Sequence, residues 1–147
     1  MKKLLSVLLV LLLLAGFAAC GKAETNTNAN AEIVNAETNI AADGTVIIGK
    51  GSKEMSFVAE AVDGTEKKIL VKTDKSTVGE ALVEVGLIAG EEGAYGLFVD
   101  TVYGTTLDYN KDHKYWALYV DGELSPIGVD QVTVEEGKVY AFRVEKG

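Results

Sequence analysis

The sequence predicts an α+β domain: a sheet of six to eight strands with one helix lying on it, over residues 45–147. Three observations carry this. Short runs of alternating apolar residues recur along the stretch and are separated by Asp-Gly and other Gly-containing turn signals. Only one segment has helical spacing. About 100 residues is an ordinary size for a single domain.

The N-terminus is set apart from that domain. Met1, Lys2 and Lys3 form a positive n-region, Leu4–Leu14 is apolar, and Ala15-Gly16-Phe17-Ala18-Ala19-Cys20 follows. Leu4–Ala19 is shorter than the ~20 residues that span a bilayer as a helix, and its flanks are those of a signal peptide. The stretch resembles a bacterial lipoprotein signal, with Phe17 where Leu is usual. The resemblance implies a signal peptide over 1–19, cleavage before Cys20 and diacylglycerol on the Cys20 thiol, with acyl chains such as palmitate in the membrane. An unpaired Cys in an exported chain also calls for such an explanation. Residues 20–44 are rich in Ala, Asn, Thr and Glu with few bulky apolar side chains. They lack the apolar surface that offsets ordering entropy and are read as a disordered tether.

Within the domain, Thr45–Gly49 is a short edge strand, and Met55–Val62 and Lys67–Thr73 pair around the Asp63-Gly64 turn. Thr77 and Glu80 form a capping box, and Val78, Ala81, Leu82 and Val85 make one apolar stripe, so a helix runs over about 77–85 with Gly86 just past its end. Ala89–Gly93 is read as a mobile loop, Tyr95–Tyr103 as a strand, Thr105–Lys114 as a polar loop, and Tyr115–Val120 as a strand closed by Asp121-Gly122. Val132–Val134 and Val139–Val144 read as a last hairpin.

Composition narrows the function. Hydrophobic residues make up 48% and charged residues 24%, as in an ordinary globular protein. The net charge of −8 repels phosphate backbones, so nucleic acid is not an expected partner. One Cys allows no internal disulfide, and one Cys with one His allows no Cys/His zinc cage; no metal site is expected. Gly49-Lys50-Gly51-Ser52 lacks the spacing of a phosphate loop. Asp108–Asp112 opens like a calcium loop, but His113 stands where Gly is needed and Tyr119 where the last Glu is needed. No Ser or Thr has an evident base partner, so no catalytic residue is assigned and the chain is not expected to be an enzyme.

The informative residues are aromatic. Nine of the ten aromatic side chains after Cys20 lie between Tyr95 and Phe142. In Tyr115–Val120, alternation places Trp116, Leu118 and Val120 on one face, expected to be core, and Tyr115 and Tyr119 on the other. Tyr95, Leu97, Val99 and Tyr103 are expected to share a face. Tyr combines a flat apolar body with a hydroxyl, which suits a ligand wall or an interface. The candidate ligand-binding residues are therefore Tyr95, Tyr103, Tyr115, Trp116, Tyr119 and His113. The ligand surface is expected on the face of Tyr115 and Tyr119, beside the loop Thr105–Lys114.

The order Tyr95-Gly96-Leu97-Phe98-Val99, Val102-Tyr103-Gly104, Tyr115-Trp116-Ala117-Leu118-Tyr119-Val120-Asp121-Gly122, then Gly128-Val129-Asp130, with Thr77–Leu82 upstream, resembles the transcobalamin-like C-terminal domain family. That resemblance implies a β-grasp-like, mainly antiparallel twisted sheet crossed by one helix. In vertebrate cobalamin carriers such a domain caps one side of the corrin ring, opposite a helical barrel that this chain lacks. The expected function is a membrane-anchored lipoprotein on the extracytoplasmic face. It binds a small soluble ligand, with cobalamin or another corrinoid as the candidate, and serves a membrane transporter as accessory to vitamin uptake. The alternative is a cell-surface module that binds a protein or polymer and no small ligand. No resident cofactor is expected.

Overall fold

The computed structural model describes residues 38–147. The expected signal peptide, Cys20 and most of the expected tether lie outside the described residues. Among the described residues the chain forms β1 (Thr38–Ile40), β2 (Val46–Gly49), β3 (Lys53–Glu60), β4 (Glu66–Thr73), α1 (Val78–Glu84), β5 (Ile88–Gly93), β6 (Gly96–Val102), β7 (Thr105–Thr106), α2 (Tyr109–Asp112), β8 (Lys114–Val120), β9 (Glu123–Leu124) and β10 (Val139–Lys146). A 3-10 turn at Val129–Gln131 lies between β9 and β10. One sheet has seven strands in the order β1-β2-β4-β3-β10-β8-β9, and a second has three in the order β5-β6-β7.

The domain is mainly β, and this corrects the expected α+β class with six to eight strands. The large sheet is mixed: β2 runs parallel to β4, and β10 parallel to β3. Both parallel pairs need the chain to cross over a strand end. Gly49 and Gly51 permit the first crossing. A Cβ at Gly49 would meet the Lys72 carbonyl, and one at Gly51 would meet Thr73 backbone. Asp74 Oδ1 then accepts from Ser52 N and Oγ at 2.8 Å each. The Gly-Lys-Gly-Ser segment is thus a crossover connection between β2 and β3.

The strand Thr38–Ile40, inside the segment read as tether, pairs with Val46–Ile48 of β2. The expected mobile loop at Ala89–Gly93 is β5, paired to β6 over its whole length. The expected last hairpin is absent: Val139–Lys146 instead fits between β3 and β8. The polar loop Thr105–Lys114 holds β7 and one helical turn. Its carboxylates serve that turn: Asp108 Oδ1 accepts from Asn110 N at 3.0 Å, and Asp112 Oδ2 accepts from Asp108 N at 2.8 Å.

Helix α1 forms where its capping box and stripe place it. Thr77 Oγ1 accepts from Glu80 N and Glu80 Oε2 accepts from Thr77 N, both at 3.3 Å. Those bonds from Thr77 hold the Glu80 carboxyl below its ordinary pKa. Val78, Ala81, Leu82 and Val85 are buried in one core with Phe57, Ile69, Val71 and Phe142 of the large sheet. Thr77→Ala removes one cap acceptor and should cost about 1 kcal/mol in urea melts, the usual value for such a cap. A loss too small to resolve would mean that the box is not formed in solution.

Candidate functional site

The site is built where the two sheets meet. Strand β8 sends Trp116 and Leu118 into the core and Tyr115 and Tyr119 to the other face, as its alternation indicated. The core side continues on β10, where Phe142 sits opposite Leu118. Phe142 meets Phe57 edge-on, with ring centroids 6.3 Å apart, which fixes the floor.

Strand β6 supplies the facing wall. Thr101 pairs with Ala89 and Val99 with Gly90, so Asp100 is an extra, unpaired residue. This bulge resets the alternation, and Val99 and Val102, three apart, are both buried. The freed Asp100 carbonyl accepts from Leu107 N at 2.9 Å. Trp116 Nε1 donates to the Thr105 carbonyl at 3.3 Å and so ties β8 to β7.

Between these walls lies a pocket of about 310 Å³, lined by Leu97–Val99, Tyr115–Leu118, Leu124, Ser125, Ile127–Val129 and Phe142. Its volume is at the lower end of small-molecule sites. No charged side chain lines it. Three lining residues are large, apolar and solvent-facing: Phe98 is 58% exposed, Leu124 59% and Ile127 47%. Such a cluster around a concavity is unusual for a surface with no partner.

The structure brings two of the six candidate binding residues, Tyr115 and Trp116, to this pocket. Tyr95 stands on the turn between β5 and β6, 93% exposed. Tyr103 takes a left-handed backbone at the turn between β6 and β7 and packs against the core. His113 ends α2 in the same left-handed conformation, with its side chain in solvent. Tyr119 lies on the opposite face of the large sheet. Its hydroxyl donates to Glu145 Oε1 at 2.7 Å, which holds its proton above the ordinary phenol range. The Arg143 guanidinium lies 4.7 Å from its ring centroid and pairs with Glu60 at 3.3 Å. Around Tyr119 the expected surface is therefore taken up by mutually engaged groups, Tyr119, Glu145, Arg143 and Glu60. The concavity is on the Trp116 side. Phe98, Leu124 and Ile127 were not among the candidate residues; for Leu124 and Ile127 the available signal was apolar side chains set among Asp, Gly, Ser and Pro at 121–128, and for Phe98 its place on the strand read over Tyr95–Tyr103.

A second cavity, about 340 Å³, opens on the outer sheet face among Ser56, Val58, Lys68, Leu70 and Val139. It has no exposed aromatic lining. Among the described residues no three of His, Cys, Asp and Glu come together to hold a metal ion.

A family model described as a domain of unknown function, DUF4430, matches residues 75–146. A crystal structure of a candidate metal binding protein from Ruminococcus gnavus ATCC 29149 matches with 31% identity and a TM-score of 0.62, covering 65% of this chain and 99% of that one. The chain belongs to the DUF4430 family. The DUF4430 match contains the whole Trp116 pocket and α1, and excludes most of the outer-face cavity, which favours the first as the site. Haptocorrin, in a crystal structure of its complex with Cbi, shares the fold at 19% identity and a TM-score of 0.51, over 63% of this chain and 25% of haptocorrin. The resemblance to transcobalamin-like domains thus extends to three dimensions. Sixteen solved chains match in all. No curated protein matches.

Proposed function

We propose that this DUF4430 chain is a membrane-anchored extracytoplasmic lipoprotein that binds a small soluble ligand in the Trp116 pocket. The ligand class is a corrinoid, and the protein serves a membrane transporter in vitamin uptake. The observation that carries the binding role is the apolar pocket rimmed by exposed Phe98, Leu124 and Ile127. An apolar concavity of this kind suits the edge of a ring system, and Ser125 and the backbone offer polar contacts to amide groups around it. Haptocorrin's complex with Cbi supports the corrinoid class. A pocket of about 310 Å³ covers part of such a ligand and leaves the rest exposed, so affinity should be modest. The core β-grasp-like comparison, a sheet crossed by α1, accords with this use of one sheet end as the binding surface.

The anchor rests on Met1–Cys20. Cells labelled with a fatty-acid probe should mark the wild-type chain and leave Cys20→Ser unmarked. Equal labelling of both would refute lipidation. Calorimetric titration of the mature chain with cobalamin, cobinamide and haem tests the ligand class.

A further inference from the structure

The pocket lining has an unusual composition. Leu97, Phe98 and Val99 are consecutive, and so are Tyr115, Trp116, Ala117 and Leu118. Side chains on a strand alternate between faces, so backbone as well as side chains lines this pocket. The pairing leaves part of that backbone without a ladder. β8 is bonded to β10 along Lys114–Val120, but to β9 only at Tyr119 and Val120. β6 is bonded to β5 along its length, but to β7 only at Thr101 and Val102. The second edges of Leu97–Val99 and Tyr115–Ala117 carry no ladder.

The direction of these groups is fixed on β8. Ser125 N donates to the Leu118 carbonyl at 2.8 Å, so that carbonyl points off the open edge. Backbone groups alternate in direction along a strand, so the N–H and C=O of Trp116 point the same way. The pocket is thus a slot between two unpaired strand edges, floored by Trp116, Leu118 and Phe142.

We propose that this slot also takes an extended polypeptide segment from another protein by strand addition. Its backbone would bond Trp116, and its alternate apolar side chains would rest on the floor. Positively charged residues would flank that segment. The charged residues bracketing the lining residues are Asp100, Glu123 and Asp130 against Lys114 and Arg143, and Arg143 is already paired with Glu60. This occupant needs only the open edges and does not rest on the corrinoid reading.

The test titrates the mature chain with a library of capped heptapeptides, Lys at both ends and Val, Thr, Ile and Phe varied between. Trp116, the only tryptophan, gives the fluorescence readout. The best binder is then N-methylated on alternate residues in each of the two registers. One register should lose about tenfold in affinity and the other stay near the parent, because only one register faces a bonded edge. Hydrogen exchange at the Trp116 amide should slow about tenfold on binding. Replacing the terminal Lys residues by Glu should weaken binding. No binding by any member at millimolar concentration would overturn the proposal, as would equal affinity of both methylated registers and the parent. Cobalamin titrated alone decides the corrinoid reading separately, whichever way the peptides behave.

Discussion

Leu82→Ala should destabilise the domain by about 2–5 kcal/mol, the range for truncating a fully buried Leu. Leu82 is completely buried at the centre of the α1 stripe, against side chains of the large sheet. The missing atoms leave a cavity that well-packed neighbours close only in part. The helix also holds the pocket. Val78 N donates to the Val132 carbonyl at 2.8 Å, and Val134 N to the Ser76 carbonyl at 2.9 Å. Gly79 packs on the Asp130 backbone so closely that a Cβ would come within 2.9 Å of Asp130 Cα. Loosening α1 therefore loosens Gly128 and Val129, which line the site. Denaturant melts of the mature chain check the figure. A change under about 1 kcal/mol would mean that α1 does not pack as described.

The pair Leu124→Asp and Ile127→Asp should weaken cobalamin binding about thirtyfold, equivalent to ~2 kcal/mol. Both side chains stand partly in solvent at the rim, so the substitutions remove little folded-state burial and the protein should remain folded. Their effect falls on the complex. Each lost apolar contact forfeits part of the area that ligand binding would bury, and each new carboxylate is desolvated when the ligand arrives. Tyr119→Ala, on the opposite sheet face, should change affinity by no more than about twofold, since additive effects of this size are ordinary for remote sites. Calorimetry reads both. A strong loss in Tyr119→Ala with none in the rim pair would move the site to the outer face.

The legible parts of the fold are those with local causes. The capping box and stripe locate α1 to within a residue, and the Asp63-Gly64 and Asp121-Gly122 turns locate the ends of β3 and β8. Alternation on β8 separates Trp116 from Tyr119 correctly. The parallel pairings are not legible, because each depends on non-local contacts: Val46 with Ile69 across the intervening β3, and Val139 with Ser56 far apart along the chain. Strand β5 reads Ile-Ala-Gly-Glu-Glu-Gly, a poor strand by propensity, and owes its conformation to β6. On β6 simple alternation fails at the Asp100 bulge. For the candidate site, the concentration of aromatics pointed to the half of the molecule that carries the pocket. Of the residues it named, Tyr115 and Trp116 line the pocket and Tyr119 is engaged by Glu145 and Arg143, while Leu124 and Ile127 sit in turn-rich sequence where apolar residues form no period.

The claim on which the functional account turns is that the Trp116 slot is where a ligand binds. Backbone amide spectra of the mature chain, followed while cobalamin is added, test it most directly. The account predicts shifts concentrated at Leu97–Val99, Trp116–Leu118 and Gly128–Val129. No shift up to millimolar cobalamin, or shifts confined to Tyr119, Arg143 and Glu145, would contradict it.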